Sequence, residues 1–295
     1  MPVIEVADLT KYYGAVVGVD GVSFTVEEGA VFGFLGPNGA GKTTTIRLLM
    51  QLLQPDRGHA ALFGVPLDAP KAALRERIGY LPGEFHPYLT MTGGRFLTYM
   101  AHYRTRPPVL RPLLLDKLQV TAEALKQPIK HLSHGNRQKL GIVLALEHEP
   151  DLAILDEPTL GLDPLMQAAF YDILALLRGK GKTIFLSSHV LTEVEKVCDR
   201  VAIIRGGRLV ALESLETLKE KRPRRLVVVL DEVSEPPVLP GARLLSQEAG
   251  RFEYLVDGGV RAVLGALAAL PVLDVVFPEP DLEDVFMAYY QDSTP

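Results

Sequence analysis

The chain has 295 residues, 47% apolar and 23% charged, which suits a soluble globular protein of about two domains. Its one cysteine, Cys198, excludes an internal disulfide and a cysteine-based zinc site. The longest strongly apolar stretch without a charge, residues 262–273, is broken by Pro271 and falls short of the ~20 residues that a bilayer span needs. The start, Met1-Pro2-Val3-Ile4-Glu5, lacks the basic-then-apolar pattern of a signal peptide, so a cytoplasmic location is expected.

The net charge of −5 is uneven: residues 1–225 carry 28 basic and 24 acidic residues, and residues 226–295 carry 3 and 12. Residues 71–139 hold 12 basic against 4 acidic residues, which reads either as solvated helix faces or as a face turned toward something anionic. No nucleic-acid motif accompanies it, and the acidic tail would be repelled by nucleic acid, so no such partner is expected.

Taken in order, residues 3–9 alternate apolar and polar side chains as a half-buried strand does, residues 22–26 repeat this, and residues 30–35 form an apolar run suited to a buried strand. A glycine-rich turn and a helix follow, with Ile46, Leu48, Leu49, Leu52 and Leu53 as the apolar face. Strands are predicted at 60–63 and 78–81. Residues 91–148 read as mainly helical, with helices at 96–103, 110–118 and 137–147. Strand 152–155, helix 165–177, strand 183–186 and helix 191–197 then alternate, before a hairpin of 201–204 and 208–211 around Gly206-Gly207. Such alternation predicts an α/β domain, residues 1–220, with a largely parallel sheet and a helical insert. The tract Lys221-Arg222-Pro223-Arg224-Arg225 reads as a boundary. Residues 221–295 are expected to form a small α+β domain, with strands at 226–230, 252–256 and 272–277 and helices at 260–270 and 282–290.

The turn Gly36-Pro37-Asn38-Gly39-Ala40-Gly41-Lys42-Thr43, followed by Thr44, fits the phosphate-binding pattern of strand, glycine-rich loop, Lys-Thr and helix. Glycines at 36, 39 and 41 let the backbone curl so that N–H groups face phosphate oxygens, and the helix terminus adds positive potential. Lys42 is placed to reach the terminal phosphates, and the Thr43 hydroxyl to ligate Mg²⁺. In Leu152-Ala153-Ile154-Leu155-Asp156-Glu157, an apolar strand ends in two carboxylates. Ligands bind at that end of open α/β sheets. Asp156 is the candidate metal ligand and Glu157 the candidate to orient and polarise an attacking water. His189 lies just past another apolar strand ending in Ser187-Ser188, placed to contact the γ-phosphate.

Leu132-Ser133-His134-Gly135-Asn136 resembles, in altered form, the Leu-Ser-Gly-Gly-Gln signature of ABC transporter ATPases. The order agrees: phosphate loop, signature, Asp156-Glu157, Gly161-Leu162-Asp163, His189. The resemblance spans about residues 3–220 and implies a P-loop NTPase fold of the ABC type with antiparallel N-terminal strands. It implies ATP and Mg²⁺ as cofactors and a head-to-tail pair of ATPase subunits, homo- or heterodimeric. Ser133 and Gly135 would then face the partner's nucleotide, Asp163 would belong to the nucleotide-binding set, and Tyr13 would stack on the adenine. Tyr12 reads as a core tyrosine. Ser133 also suits the N-cap of the helix that follows.

Two departures stand out. His134 and Asn136 replace Gly and Gln, and Gly83 stands where the family has a Gln after the strand at 78–81. Glu84 either replaces that Gln as a Mg²⁺ ligand or is an ordinary loop acid. Residues 280–290 look like the C-terminal extension of the drug- and antibiotic-export branch. The implied function is the ATPase subunit that drives a separate membrane permease from the inner face of the cell membrane, with export as the direction that the tail implies. The alternative is a non-transport ABC ATPase acting on a soluble macromolecular partner.

Overall fold

Two twelve-residue strands, β1 (Pro2–Tyr13) and β2 (Val16–Glu27), pair antiparallel across a turn at Gly14. Both outrun the predicted alternating segments because the ladder continues through register shifts. In the computed structural model the described residues are 1–68, 72–220, 224–231, 235–248, 250–256 and 259–278; the expected helix at 282–290 lies outside them. The next strand, β3 (Val31–Leu35), is buried throughout and joins a different sheet. Helix α1 (Lys42–Leu49) follows the glycine turn. It is shorter than expected. Gln51 adopts a left-handed φ of 56° just past Met50, so Leu52 leaves the apolar face and is 58% exposed.

Strands β4 (Arg57–Leu62) and β5 (Val65–Pro66) complete an antiparallel sheet in the order β2-β1-β4-β5. After the short α2 (Ala72–Arg75) and β6 (Ile78–Leu81) comes the helical insert: α3 (Gly93–Ala101), α4 (Arg111–Lys117), α5 (Ala122–Lys126) and α6 (His134–Leu146). The side chains of Thr92, Thr121 and Ser133 accept hydrogen bonds from the backbone N–H three residues on, capping α3, α5 and α6.

Then β7 (Leu152–Asp156), α7 (Pro164–Gly179), β8 (Thr183–Ser188), α8 (Leu191–Val197), β9 (Arg200–Arg205) and β10 (Arg208–Ser214) complete the larger unit. The second sheet runs β10-β9-β3-β8-β7-β6, parallel except for β10. Phe24 of the first sheet packs on Phe32, Phe34 and Phe185 of the second, with ring centroids 5.5–5.9 Å apart. Ile46 and Leu49 of α1 join the same core. Register pairs Leu35 with Ser188 and Asp156 with Ser187, so the segments leaving β3, β7 and β8 emerge together at one edge.

The chain divides after Ser214, ahead of the charged tract at 221–225, because α9 (Leu215–Glu220) groups with the smaller unit. That unit is an antiparallel sheet of β11 (Arg224–Leu230), β12 (Ala242–Glu248), β13 (Arg251–Val256) and β14 (Val272–Val276), ordered β12-β13-β11-β14. Helix α10 (Val260–Leu267) buries Val263 and Leu267 against Leu226, Val228, Phe252 and Tyr254. Strand β12 was not expected. It is an edge strand exposed along nearly all its length, so it carries no apolar alternation.

Candidate functional site

The turn between β3 and α1 is hemmed in by backbone. A Cβ at Gly36 would collide with the carbonyl oxygen of Ile204, and one at Gly41, where φ is 111°, with that of Gly18. Only glycine fits both places. Gly36 N–H donates to Ser188 O at 3.2 Å, and Ala40 O accepts from Gly207 N–H at 2.9 Å. No side chain caps the amino end of α1. Lys42, 6% exposed, curls back so that Nζ donates to Gly36 O at 2.6 Å and Pro37 O at 3.2 Å. A cleft of ≈ 270 Å³ opens over this turn, lined among others by Tyr13, Asn38, Gly39, Thr43, Thr44 and Glu157.

Two polar clusters form the floor. Asp156 is fully buried, and each oxygen accepts a hydroxyl proton: Oδ2 from Thr43 at 2.8 Å and Oδ1 from Ser187 at 2.5 Å. Burial first, and then the Asp156 charge, raise the Tyr80 phenol above its ordinary value. In the second cluster Lys42 Nζ lies 3.0 Å from Glu157 Oε1, and His189 Nδ1–H donates to Glu157 Oε2 at 2.7 Å. Glu157 holds a left-handed φ of 49°, anchored by its N–H donating to Ser187 O and Ser187 Oγ. Such a conformation in a non-glycine residue persists only where its surroundings impose it. The strain turns the chain so that Asp156 faces the floor and Glu157 faces the cleft.

Of the residues singled out in the sequence, Lys42, Thr43, Asp156, Glu157 and His189 are brought into one connected group. Tyr13, Asn38, Gly39, Gly41 and Thr44 line the cleft beside it. Ser133 and Gly135 are elsewhere in the chain's fold, at the amino end of α6. There Ser133 Oγ accepts from Asn136 N–H at 3.2 Å. The His134 ring packs directly on Gly161, whose φ of 78° and lack of a Cβ make room for it.

One expectation is corrected, that for Tyr12, and two further candidate site residues lie away from the cleft. Asp163 lines no part of the cleft; its carboxylate accepts from Met166 N–H at 2.9 Å and caps α7. Tyr12 is not a core residue: it is 38% exposed, and its hydroxyl donates to Asp20 at 3.0 Å. Glu84 stands apart from the Thr43–Asp156 pair in this single chain. Its side chain is 83% exposed and lies 3.4 Å from His86 Nε2. The neighbouring Gly83 is the position that faces Asp156, since a Cβ there would sit 3.1 Å from Oδ2. Two polar residues escaped the sequence reading. Ser187 holds both Asp156 and Glu157; the polar end of an apolar strand was its only signal. Gln138, 4% exposed, donates from Nε2 to Pro158 O at 2.9 Å; a lone Gln on a helix carries no signal.

The family of ABC transporters matches residues 19–160. A bacitracin transport ATP-binding protein of Bacillus licheniformis is 34% identical over 302 residues, covering 97% of this chain and 96% of its own. The chain belongs to the ABC transporter ATP-binding family. A Nod factor export ATP-binding protein of Burkholderia orbicola is 35% identical, with 96% of this chain and 95% of that protein covered. An uncharacterised ABC transporter ATP-binding protein of Nostoc sp. is 40% identical over 73% of this chain and 68% of its own. A solved ATP-binding subunit of an ABC transporter, 33% identical, superposes with a TM-score of 0.68 over 74% of this chain and 92% of that one. This ABC ATPase is thus an ATP-binding subunit of a transporter, and among its described residues no helix is long and apolar enough to cross a membrane.

Proposed function

We propose that this subunit is a Mg²⁺-dependent ATPase that drives a separate membrane permease in the direction of export, held at the inner face of the membrane through that permease. The observation that carries the reading is the pair of clusters at one sheet edge, Thr43–Asp156–Ser187 and Lys42–Glu157–His189. Thr43 and Asp156 offer two hard oxygen donors 2.8 Å apart, which suits Mg²⁺. Lys42 and the amino end of α1 suit the phosphates. When bound, the ion neutralises phosphate charge.

The chain's own residues do the rest. Lys42 exchanges its loop carbonyls and Glu157 for phosphate oxygens. That releases Glu157 Oε1 to take a proton from water, while His189 Nδ1–H keeps the carboxylate oriented through Oε2. Tyr13 gives the base a face to stack on, and Gly36, Gly39 and Gly41 let the backbone approach the phosphates. Ser133 and Gly135 complete the site of a second ATPase subunit packed head to tail. Export rests on the relatives named for Nod factor export and bacitracin transport. The test is ATP turnover with and without Mg²⁺ for the wild type and Lys42→Ala. Turnover should vanish on chelation and in the variant; a Lys42→Ala protein hydrolysing ATP at the wild-type rate refutes the assignment.

A further inference from the structure

One buried carboxylate beside the site has no part in the reaction above. Glu193, in the first turn of α8, is 8% exposed. Each of its oxygens accepts a hydroxyl hydrogen bond from a different segment: Oε1 from Thr159, in the turn after β7, at 2.6 Å and Oε2 from Ser188, at the end of β8, at 2.7 Å. Thr159 is 6% exposed and Ser188 fully buried. Ser188 Oγ in turn accepts from Val190 N–H at 2.9 Å. One hydroxyl therefore closes a ring around His189, the residue between them, and Glu193 anchors that ring. Both bonds are short for a hydroxyl donor, so Glu193 ties the end of β8 to the turn after β7.

The turn that carries Thr159 leads to α6. Thr159 sits in the turn that leaves Glu157, which is closed by Leu160 N–H donating to Glu157 O at 3.2 Å and Leu162 N–H donating to Thr159 O at 3.0 Å. Helix α6 grips the same turn twice, through Gln138 on Pro158 O at 2.9 Å and through the His134 ring on Gly161. A continuous chain of contacts thus runs from the amino end of α6, through the turn at 158–162, Thr159, Glu193 and Ser188, to His189 and back to Glu157.

We propose that Glu193 is a positioning residue of the ATPase reaction, tying the 158–162 turn and the amino end of α6 to His189 so that the histidine reaches Glu157 only when that turn is seated. The proposal rests on the assignment of Glu157 and His189 to hydrolysis. It gives the end of α6 that meets a second subunit's nucleotide a direct connection to the histidine of its own site.

The experiment measures turnover and ATP affinity of the full chain for Glu193→Gln and Thr159→Val, alone and combined with His189→Ala, using single-turnover assays where rates are low. Each variant should lower kcat about tenfold while ATP affinity stays within about twofold. In the His189→Ala background each should add less than about a twofold further loss, because residues acting through one another are not additive. If Glu193→Gln fails to fold, Thr159→Val, which exchanges one hydroxyl for a methyl, carries the test. An unchanged kcat in Thr159→Val, or equal losses with and without His189, overturns the proposal. Glu157→Gln measured alongside separates the two readings. A wild-type rate there removes the catalytic assignment, whereas a slow Glu157→Gln beside wild-type rates for Glu193→Gln and Thr159→Val removes only the role of Glu193.

Discussion

The two ends of the parallel sheet use the same strands and build opposite kinds of polar cluster. At the amino ends, Arg77, Asp151 and Lys182 each immediately precede β6, β7 and β8. Asp151 accepts from Arg77 at 2.9 Å, Arg106 at 3.0 Å and Lys182 at 3.1 Å. Burial alone would raise its carboxyl, but these three cations outweigh that and hold it well below the usual carboxylate range. This cluster is closed: its charges have permanent protein partners. At the carboxyl ends, Lys42 is held by carbonyls of its own loop and by Glu157, partners that a phosphate can replace. A cluster that stabilises is saturated, whereas one that binds keeps exchangeable partners.

That contrast can be broken at the amino end first. Asp151→Asn strands three cations and should destabilise the fold by about 1–3 kcal/mol, while kcat stays within about twofold of wild type. Thermal unfolding and an ATPase assay on one preparation check both halves. A large loss of kcat in a folded Asp151→Asn protein would erase the division of labour between the ends.

A smaller effect should come from His148 at the same end. Arg104 Nη1 donates to its Nε2 at 2.6 Å. Burial chiefly, and then the Arg104 charge, lower the imidazole from 6.5 to about 4. The fold therefore holds His148 neutral where the unfolded chain would protonate it. This stability is present above 6.5 and is lost as pH falls toward about 4. Unfolding midpoints measured across that window should fall with acidity in the wild type and fall less in His148→Gln; parallel slopes would count against it.

The smallest effect is expected at Glu84. With its side chain in solvent, Glu84→Ala should leave the Mg²⁺ concentration dependence of turnover unchanged, within about twofold. A clear rise in the Mg²⁺ required would return Glu84 to the metal site and show that the loop moves.

The parts of the fold built on local pattern were legible in the sequence. Strand β6 and helix α8 have the expected bounds, because a short buried apolar run and a 3.6-residue period each leave one reading. The phosphate turn was legible because its glycines, Lys42 and Thr43 follow one another in a fixed local pattern between a strand and a helix. What local pattern does not encode was missed. Strand β12 is defined by its neighbour β13 and not by its own burial. Helix α1 ends where Gln51 turns left-handed. Glu193, Gln138 and Ser187 gain their roles from partners 34, 20 and 31 residues away. Asp163 carries a role that its motif does not announce: its side chain caps α7.

The most direct test of the account is ATP turnover by Glu157→Gln, measured with ATP binding on the same protein in the presence of Mg²⁺. If Glu157 accepts the proton of the attacking water, kcat should fall by roughly 10²–10⁴-fold, nucleotide should still bind, and an ATP-bound dimer should accumulate. Turnover at the wild-type rate would contradict the claim that the exchangeable cluster at the carboxyl edge performs the chemistry.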